Sequence, residues 1–547
     1  MDRRQFLSLS AKRQPAVKAT TTGSRTDSGI SAYTGTFDTA QAVHLLKRTM
    51  FGATPEDIAW VKSLGMDQAV EALLTTVTAV TTQPVNIYGE DEHGILPGET
   101  WVYSPPPSSD DEDGKRWNSY KAWWLGVMIN QGRSIQEKMT LFWHNHFVTE
   151  MDMTHDSRYI YKYNTTLRAN AVGNFKTLTK AITLDPAMLR YLNGYLNSKA
   201  GADENYAREL HELFTVGKGP DSHYTEEDVR ATARVLTGFR INANTITTYF
   251  ESTEHDIENK EFSDFYSNKK ITGKTGQDGA TELDDLLTII FAQPECAKFI
   301  VRKLYRWFVY YLIDDAVETN VITPLADIFR NNNYDLLPVL RALFKSEHFF
   351  DPLNMSALIK SPIDHNVGMV REFGVTFPTA YMDAYDSWDR LRSHAASMLQ
   401  DIGEPPQVAG WQPYYQEPQY HEMWINTDTL PKRNQITDAM ISEGGYAGVA
   451  IDVMAFAQRL SNPSDPKQLI SDSLDILYRI GVSDTTKAWF KNTILLSGQN
   501  PDSDYYWTDA WNAWVAYPTD TALRTVVESR LRTLYKYLMN LSEYQLS

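Results

Sequence analysis

The chain has 547 residues, with 52 Lys and Arg against 69 Asp and Glu, a formal net charge of −17. Its 42% hydrophobic and 12% aromatic content is globular, which excludes a largely disordered chain, and the acidic balance argues against nucleic acid, whose phosphates need a basic footprint. The single cysteine, Cys296, excludes an internal disulfide and any Cys-rich zinc site.

The first residues, Met1-Asp2-Arg3-Arg4-Gln5-Phe6-Leu7, look like a twin-arginine export start, but Lys12 and Arg13 cut the apolar stretch short. Two readings of residues 1–36 follow: an atypical signal that takes the protein out of the cytoplasm, or a disordered tail of a cytoplasmic protein. No stretch approaches the ~18 apolar residues of a membrane span. After residue 36 the apolar spacing is helical. Asp38-Thr39 opens a run carrying Ala42, Leu45, Leu46 and Met50 that stops at Gly52. Thr54-Pro55-Glu56-Asp57 is a start signal, and Ser134-Ile135-Gln136-Glu137 and Thr225-Glu226-Glu227-Asp228 repeat it. Further helical runs are predicted over 117–131, 135–149, 174–183, 204–214, 226–237, 295–312, 335–346, 386–402 and 520–541. Residues 239–250 alternate and are β-branched, which predicts one small hairpin. The expected fold is mainly α: residues 37–547 as one large multi-helix domain with irregular insertions near 86–116 and 403–433. The acidic run Asp110–Asp113 in the first insertion reads as a solvated loop.

Three stretches could carry chemistry. In Asp203–Phe214 the residues Glu204, Arg208 and His211 share one helical face, beside Glu209 and Glu212. A histidine among carboxylates could hold a metal or move protons, although Thr215 stands where a zinc-protease helix needs its second histidine. In Phe142–Phe147, His144 and His146 lie about 200° apart on a helix and cannot share one ion. His146 with Glu150, or the adjacent pair His255-Asp256, could. Trp411, Tyr414 and Trp424 lie in an aromatic-rich loop that either packs on the body or lines a binding surface. No nucleophile elbow, phosphate loop or dinucleotide fingerprint is present.

Taken together, several segments resemble the bacterial family DUF1800, a domain of unknown function. They are His44-Leu45-Leu46-Lys47-Arg48-Thr49-Met50-Phe51-Gly52, Phe142–Phe147, Glu204–Phe214, Tyr224–Val229, Arg234–Phe239 and His255-Asp256. Arg302–Tyr305, Lys360-Ser361-Pro362, Pro405–Trp411 and Leu541–Gln545 follow. The sequence departs from the usual pattern at His211, where an apolar residue is commoner, and at Ile363-Asp364-His365 after Pro362. The resemblance implies a largely helical fold, twin-arginine-like starts and genes beside a sulfatase-like family, DUF1501; it implies no established reaction.

Two functions fit these readings. One is an exported, metal-assisted enzyme with His144, His146, Glu204, Arg208 and Glu209 in one cleft, and a divalent ion on His146, His255 and Asp256 that activates water. The other is a non-catalytic helical binding or assembly protein acting with a DUF1501-like partner or a cell-envelope polysaccharide through Trp411, Tyr414 and Trp424.

Overall fold

The computed structural model describes residues 28–414, 420–500 and 502–547. The paired arginines at the start and five residues of the aromatic loop lie outside them. The structure is 58% helical, and the described residues hold two small two-stranded sheets, so the fold is mainly α.

The helix starts follow their capping chemistry. Helix α1 (Thr39–Thr49) opens on a capping box between Asp38 and Gln41. Helix α2 (Pro55–Leu64) opens where Thr54 accepts from the Asp57 N–H, with Pro55 in the first turn. Helix α3 (Met66–Thr75) follows directly.

The first insertion is shorter than expected. Ser109 accepts from the Glu112 N–H and starts α4 (Asp110–Ile129), so the acidic run is the first turn of a 20-residue helix. Carboxylates suit that end of the helix dipole. Glu112 and Asp113 are buried rather than solvated: Glu112 pairs with Arg116 at 2.5 Å, and Asp113 accepts from the Ser157 N–H at 2.7 Å. Burial pushes the Asp113 carboxyl up to about 6.

Helix α5 (Gln136–His146) starts differently from the sequence expectation. Its N-cap is Ile135, and Ser134 sits one residue further out, where its hydroxyl donates to the Thr76 carbonyl and accepts from the Gln136 N–H at 3.2 Å. Glu137 turns inward to Arg168, at 2.5 Å, on α6 (Ser157–Ala169). Helix α7 (Asn205–Glu209) runs into a π-helical turn, Leu210–Thr215. Helix α8 (Glu226–Val235) has the Thr225–Asp228 capping box.

The predicted hairpin is β1 (Phe239–Asn242) paired antiparallel with β2 (Thr247–Phe250). A second pair, β3 (Lys260–Glu261) with β4 (Lys270–Ile271), is too short and polar to show as an alternation. Beyond it come α9 (Glu282–Phe291), α10 (Pro294–Phe308), α11 (Pro362–Glu372) and α12 (Tyr381–Ser397). Helix α13 (Thr429–Ile441) begins inside the second expected insertion, and α14 (Pro466–Leu477), α15 (Asp504–Ala516) and α16 (Thr521–Met539) complete the larger helices.

Residues 28–36, expected in the tail, lie against the body. The Tyr33 N–H donates to the Lys345 carbonyl, the Ser31 carbonyl accepts from Glu347, and the Tyr33 ring sits 4.7 Å from Phe350. One contiguous apolar cluster runs from Ala42 in α1 to Tyr544 near the end of the described chain. No helix among the described residues is long and apolar enough to cross a membrane.

Candidate functional site

The three consecutive polar residues on α5 hold three different segments. The His144 Nε2 accepts from the Gly403 N–H at 3.1 Å. The Asn145 Oδ1 accepts from the Trp411 N–H at 2.8 Å, and the His146 Nε2 lies 3.1 Å from the Phe214 carbonyl. That last bond makes His146 Nε2 the protonated nitrogen, so its Nδ1 accepts from Lys303 Nζ at 3.0 Å. Both histidines are buried, and burial holds His144 down to about 3 and His146 well below its ordinary value. They are neutral hydrogen-bonding links. Asn145 also explains the glycine before Trp411: Gly410 has φ +94°, and a Cβ there would lie 2.3 Å from Asn145 Oδ1.

The second cluster is a helix-to-helix ion network. Arg208 on α7 binds Glu226 on α8 through two bonds of 2.8 and 2.7 Å, and reaches Glu204 at 3.2 Å. Glu209 is half-buried, which raises its carboxyl, with Glu212 adding to the effect. His211 is fully buried between the Tyr266 and Thr232 hydroxyls at 2.6 and 2.8 Å.

The His255-Asp256 pair is not a surface loop. His255 is buried, with Nδ1 at 2.9 Å from the Thr237 carbonyl and Nε2 at 3.2 Å from Glu282. Glu282 also pairs with the buried Lys260 at 2.7 Å. Asp256 is taken by Arg234 at 2.7 and 3.1 Å. His146, His255 and Asp256 thus have separate protein partners, and the described residues contain no group of three or more His, Cys, Asp or Glu that could hold an ion. The catalytic candidates likewise fall into separate networks: His144 and His146 on α5, Glu204 and Arg208 facing α8.

Of the aromatic candidates, Trp411 and Trp424 are 1% exposed, so their faces belong to the core rather than to a ligand surface. Trp411 lies 5.6 Å from the His144 ring. Tyr414 differs. Its ring lies 4.6 Å from Trp307 and 5.9 Å from Trp424, and it lines a narrow cavity with Trp307, Lys47, Arg48, Lys138 and His421.

That cavity is the most unusual electrostatic feature of the molecule. Three buried cations line it, Lys47 and Arg48 at the end of α1 and Lys138 on α5, and three more are buried within electrostatic reach of that group: Lys360 before α11, Arg433 on α13 and Arg479 after α14. The carboxylates in contact with them are Glu372, 2.6 Å from Lys47, and Asp364, bonded to Lys138. The remaining cations make do with carbonyls and rings. Arg48 donates through Nη2 to the Asn354 carbonyl at 3.1 Å. Arg433 donates to the Lys360 carbonyl at 2.9 Å, Arg479 to the Asp475 carbonyl at 2.6 Å, and Lys360 lies over the Tyr544 ring at 3.9 Å.

Several donors there have no partner among the described residues: Arg48 Nε and Nη1, Arg433 Nε and Arg479 Nε. His421 adds another. Its Nδ1 accepts from the Ile359 N–H at 2.9 Å, so its Nε2 carries the proton, and that N–H is also unpartnered. Burial, reinforced by Arg48, holds His421 down to about 3 and therefore neutral.

Burial lowers the basic groups as well: Lys360 to about 8, Arg48 and Arg433 to about 9, Arg479 to about 10. These four remain charged at pH 7. Stripping water from an ion costs several kcal/mol unless a counter-charge restores it, and here the protein supplies too few. The wall does include one carboxylate, Asp364, but it is bonded to Lys138, and the surplus of donors that remains suits an oxyanion. The free volume is about 10 Å³, room for one oxygen-sized group, so admitting a whole tetrahedral oxyanion requires the lining side chains to move apart.

The sequence reading missed this site although it quoted part of it. Lys47-Arg48 and Lys360-Ser361-Pro362 were both segments of the family resemblance. The model of the family described as "Protein of unknown function (DUF1800)" matches residues 44–546. The chain belongs to the DUF1800 family. That match spans the residues that line the cationic cavity from Lys47 to His421. No curated protein and no solved structure matches the chain.

Proposed function

We propose that this DUF1800 protein is an oxyanion-binding protein, whose cavity at Arg48 takes a phosphate, sulfate or carboxylate group of a larger solute. The observation that carries this reading is Arg48 itself: 2% exposed, lining the cavity, with Nε and Nη1 unpartnered. An arginine held in that state lowers the stability of its own fold, and such local violations are expected where function demands them. Guanidinium is the group best matched to an oxyanion, because it offers paired donors in a fixed fork. Lys47, Lys138 and His421 Nε2 would add donors from other sides, and Tyr414 with Trp307 forms the aromatic wall.

This favours the binding alternative over the metal-assisted enzyme, since the histidines and carboxylates expected to form a metal cleft are engaged elsewhere. An anionic cell-envelope polysaccharide carries groups of the kind the cavity would accept. A DUF1501-like partner has no structural feature supporting it here.

Thermal melting in sodium sulfate, against sodium chloride at equal ionic strength, tests the proposal. Sulfate is expected to raise the midpoint in a saturable way, as any ligand specific to the native state does. Equal melting in the two salts across the titration would reject it.

A further inference from the structure

A second cavity lies on the other side of the α5 N-terminus. The loop Thr78–Thr82, Val127 in the last turn of α4, Asn130 and Gln131 just after it, and Gln136 and Glu137 at the start of α5 line a half-open space of about 170 Å³. Gly132 lets the loop close: a Cβ there would lie 2.8 Å from Thr78 Oγ1. The size is informative, because an apolar cavity of about 150 Å³ accepts one benzene ring. This space therefore fits a single six-membered ring.

The lining decides what kind of ring. Glu137 is its only acidic group, and both carboxylate oxygens are already engaged, Oε1 with Arg168 Nε at 2.5 Å and Oε2 with Arg168 Nη2 and Trp124 Nε1 at 3.1 Å. No lysine or arginine lines the cavity. What remains is neutral and mixed: the apolar Ala79, Val80 and Val127, which suit the C–H face of a ring, beside threonine hydroxyls and Gln131, whose Oε1 and Nε2 are both buried without a partner among the described residues. A buried amide left unpaired costs about 1–3 kcal/mol. Its polar atoms expose no surface to the cavity, so a ligand meets them once the side chain turns inward, where they offer one acceptor and two donors side by side. Hydroxyl groups, which both donate and accept, satisfy that set; an oxyanion satisfies only the donors, and a hydrocarbon ring satisfies neither.

We infer that this cavity is a binding site for one neutral pyranose ring, held through the Gln131 amide. The inference is independent of the oxyanion cavity, since the two share no lining residue.

The test titrates methyl hexopyranosides (gluco, galacto and manno, both anomers) into the full chain, with saturation-transfer NMR as readout and cyclohexanol as the size-matched apolar control. At least one glycoside is expected to bind and cyclohexanol not to. Gln131→Leu keeps the bulk but removes the amide, and should weaken that binding roughly tenfold, the equivalent of one hydrogen bond lost. Val127→Phe fills the space from the opposite wall and should abolish it, which keeps the test decisive if the first variant does not fold. Arg48→Met should leave it unchanged, whatever becomes of the anion cavity. Binding by none of the glycosides overturns the inference, as does equal binding of cyclohexanol, undiminished binding to a folded Gln131→Leu, or binding that survives Val127→Phe.

Discussion

Arg48 offers two unpartnered nitrogens to the cavity and gains only one carbonyl bond in return. Replacing a buried, poorly compensated ion with an apolar side chain of similar length is often neutral or stabilising, by about 1–4 kcal/mol. Arg48→Met should therefore melt no lower than the parent protein in chloride and lose the sulfate-dependent rise. A purely structural Arg48 would give the reverse, a destabilised variant with no change in salt response. Lys360 adds a pH signature. Its folded pKa is lowered from 10.5 to about 8, so the native state gives up this proton before the unfolded chain does. Between those values the unfolded state binds more protons, and this group's contribution to ligand-free stability rises with pH. Sulfate keeps its charge over that range, so its affinity should fall as pH passes 8 and positive charge leaves the cavity. Sulfate titrations at pH 7 and pH 9 check this; unchanged affinity would remove Lys360 from the site.

Helix α5 shows how one element organises its surroundings. Successive side chains on a helix point about 100° apart, so His144, Asn145 and His146 reach three segments distant in sequence. Asn145→Ala would leave the buried Trp411 N–H without its acceptor and should cost about 1–3 kcal/mol in urea unfolding. A loss below about 0.5 kcal/mol, the lower end for a single hydrogen bond, would mean that water replaces the amide. At this scale the sequence was largely readable. The capping residues Asp38, Thr54 and Thr225 act at the expected helix starts, and the β-branched alternation of 239–250 forms the hairpin. Two local signals failed because tertiary partners outbid them. Ser134 bonds the Thr76 carbonyl as well as the Gln136 N–H and leaves the N-cap position to Ile135, and Glu112 and Asp113 of the acidic run are absorbed by Arg116 and the Ser157 N–H while Asp110 and Asp111 stay exposed. The candidate site was much less legible. Histidines next to carboxylates suggested metal chemistry, but His144, His146, His211 and His255 are each buried against partners within the protein. The six cations lie on five segments between residues 47 and 479, so no local spacing betrays that they meet.

Across the whole molecule the charge is arranged against its own sum. The chain carries −17, yet its most concentrated buried charge is positive, around Lys47, Arg48, Lys138, Lys360, Arg433 and Arg479. An acidic exterior repels anions at long range, an effect that salt screens over about 8 Å at physiological strength. Anion binding here should therefore be slow to associate at low salt and selective by geometry rather than by net attraction. The most direct test is isothermal titration calorimetry of sodium sulfate into the full chain and, in parallel, into Arg48→Met, at pH 7 and constant ionic strength. The account predicts a saturable signal of one sulfate per chain that the substitution abolishes while the protein stays folded. A parent protein with no sulfate isotherm, or a variant that binds as tightly as the parent, would contradict it.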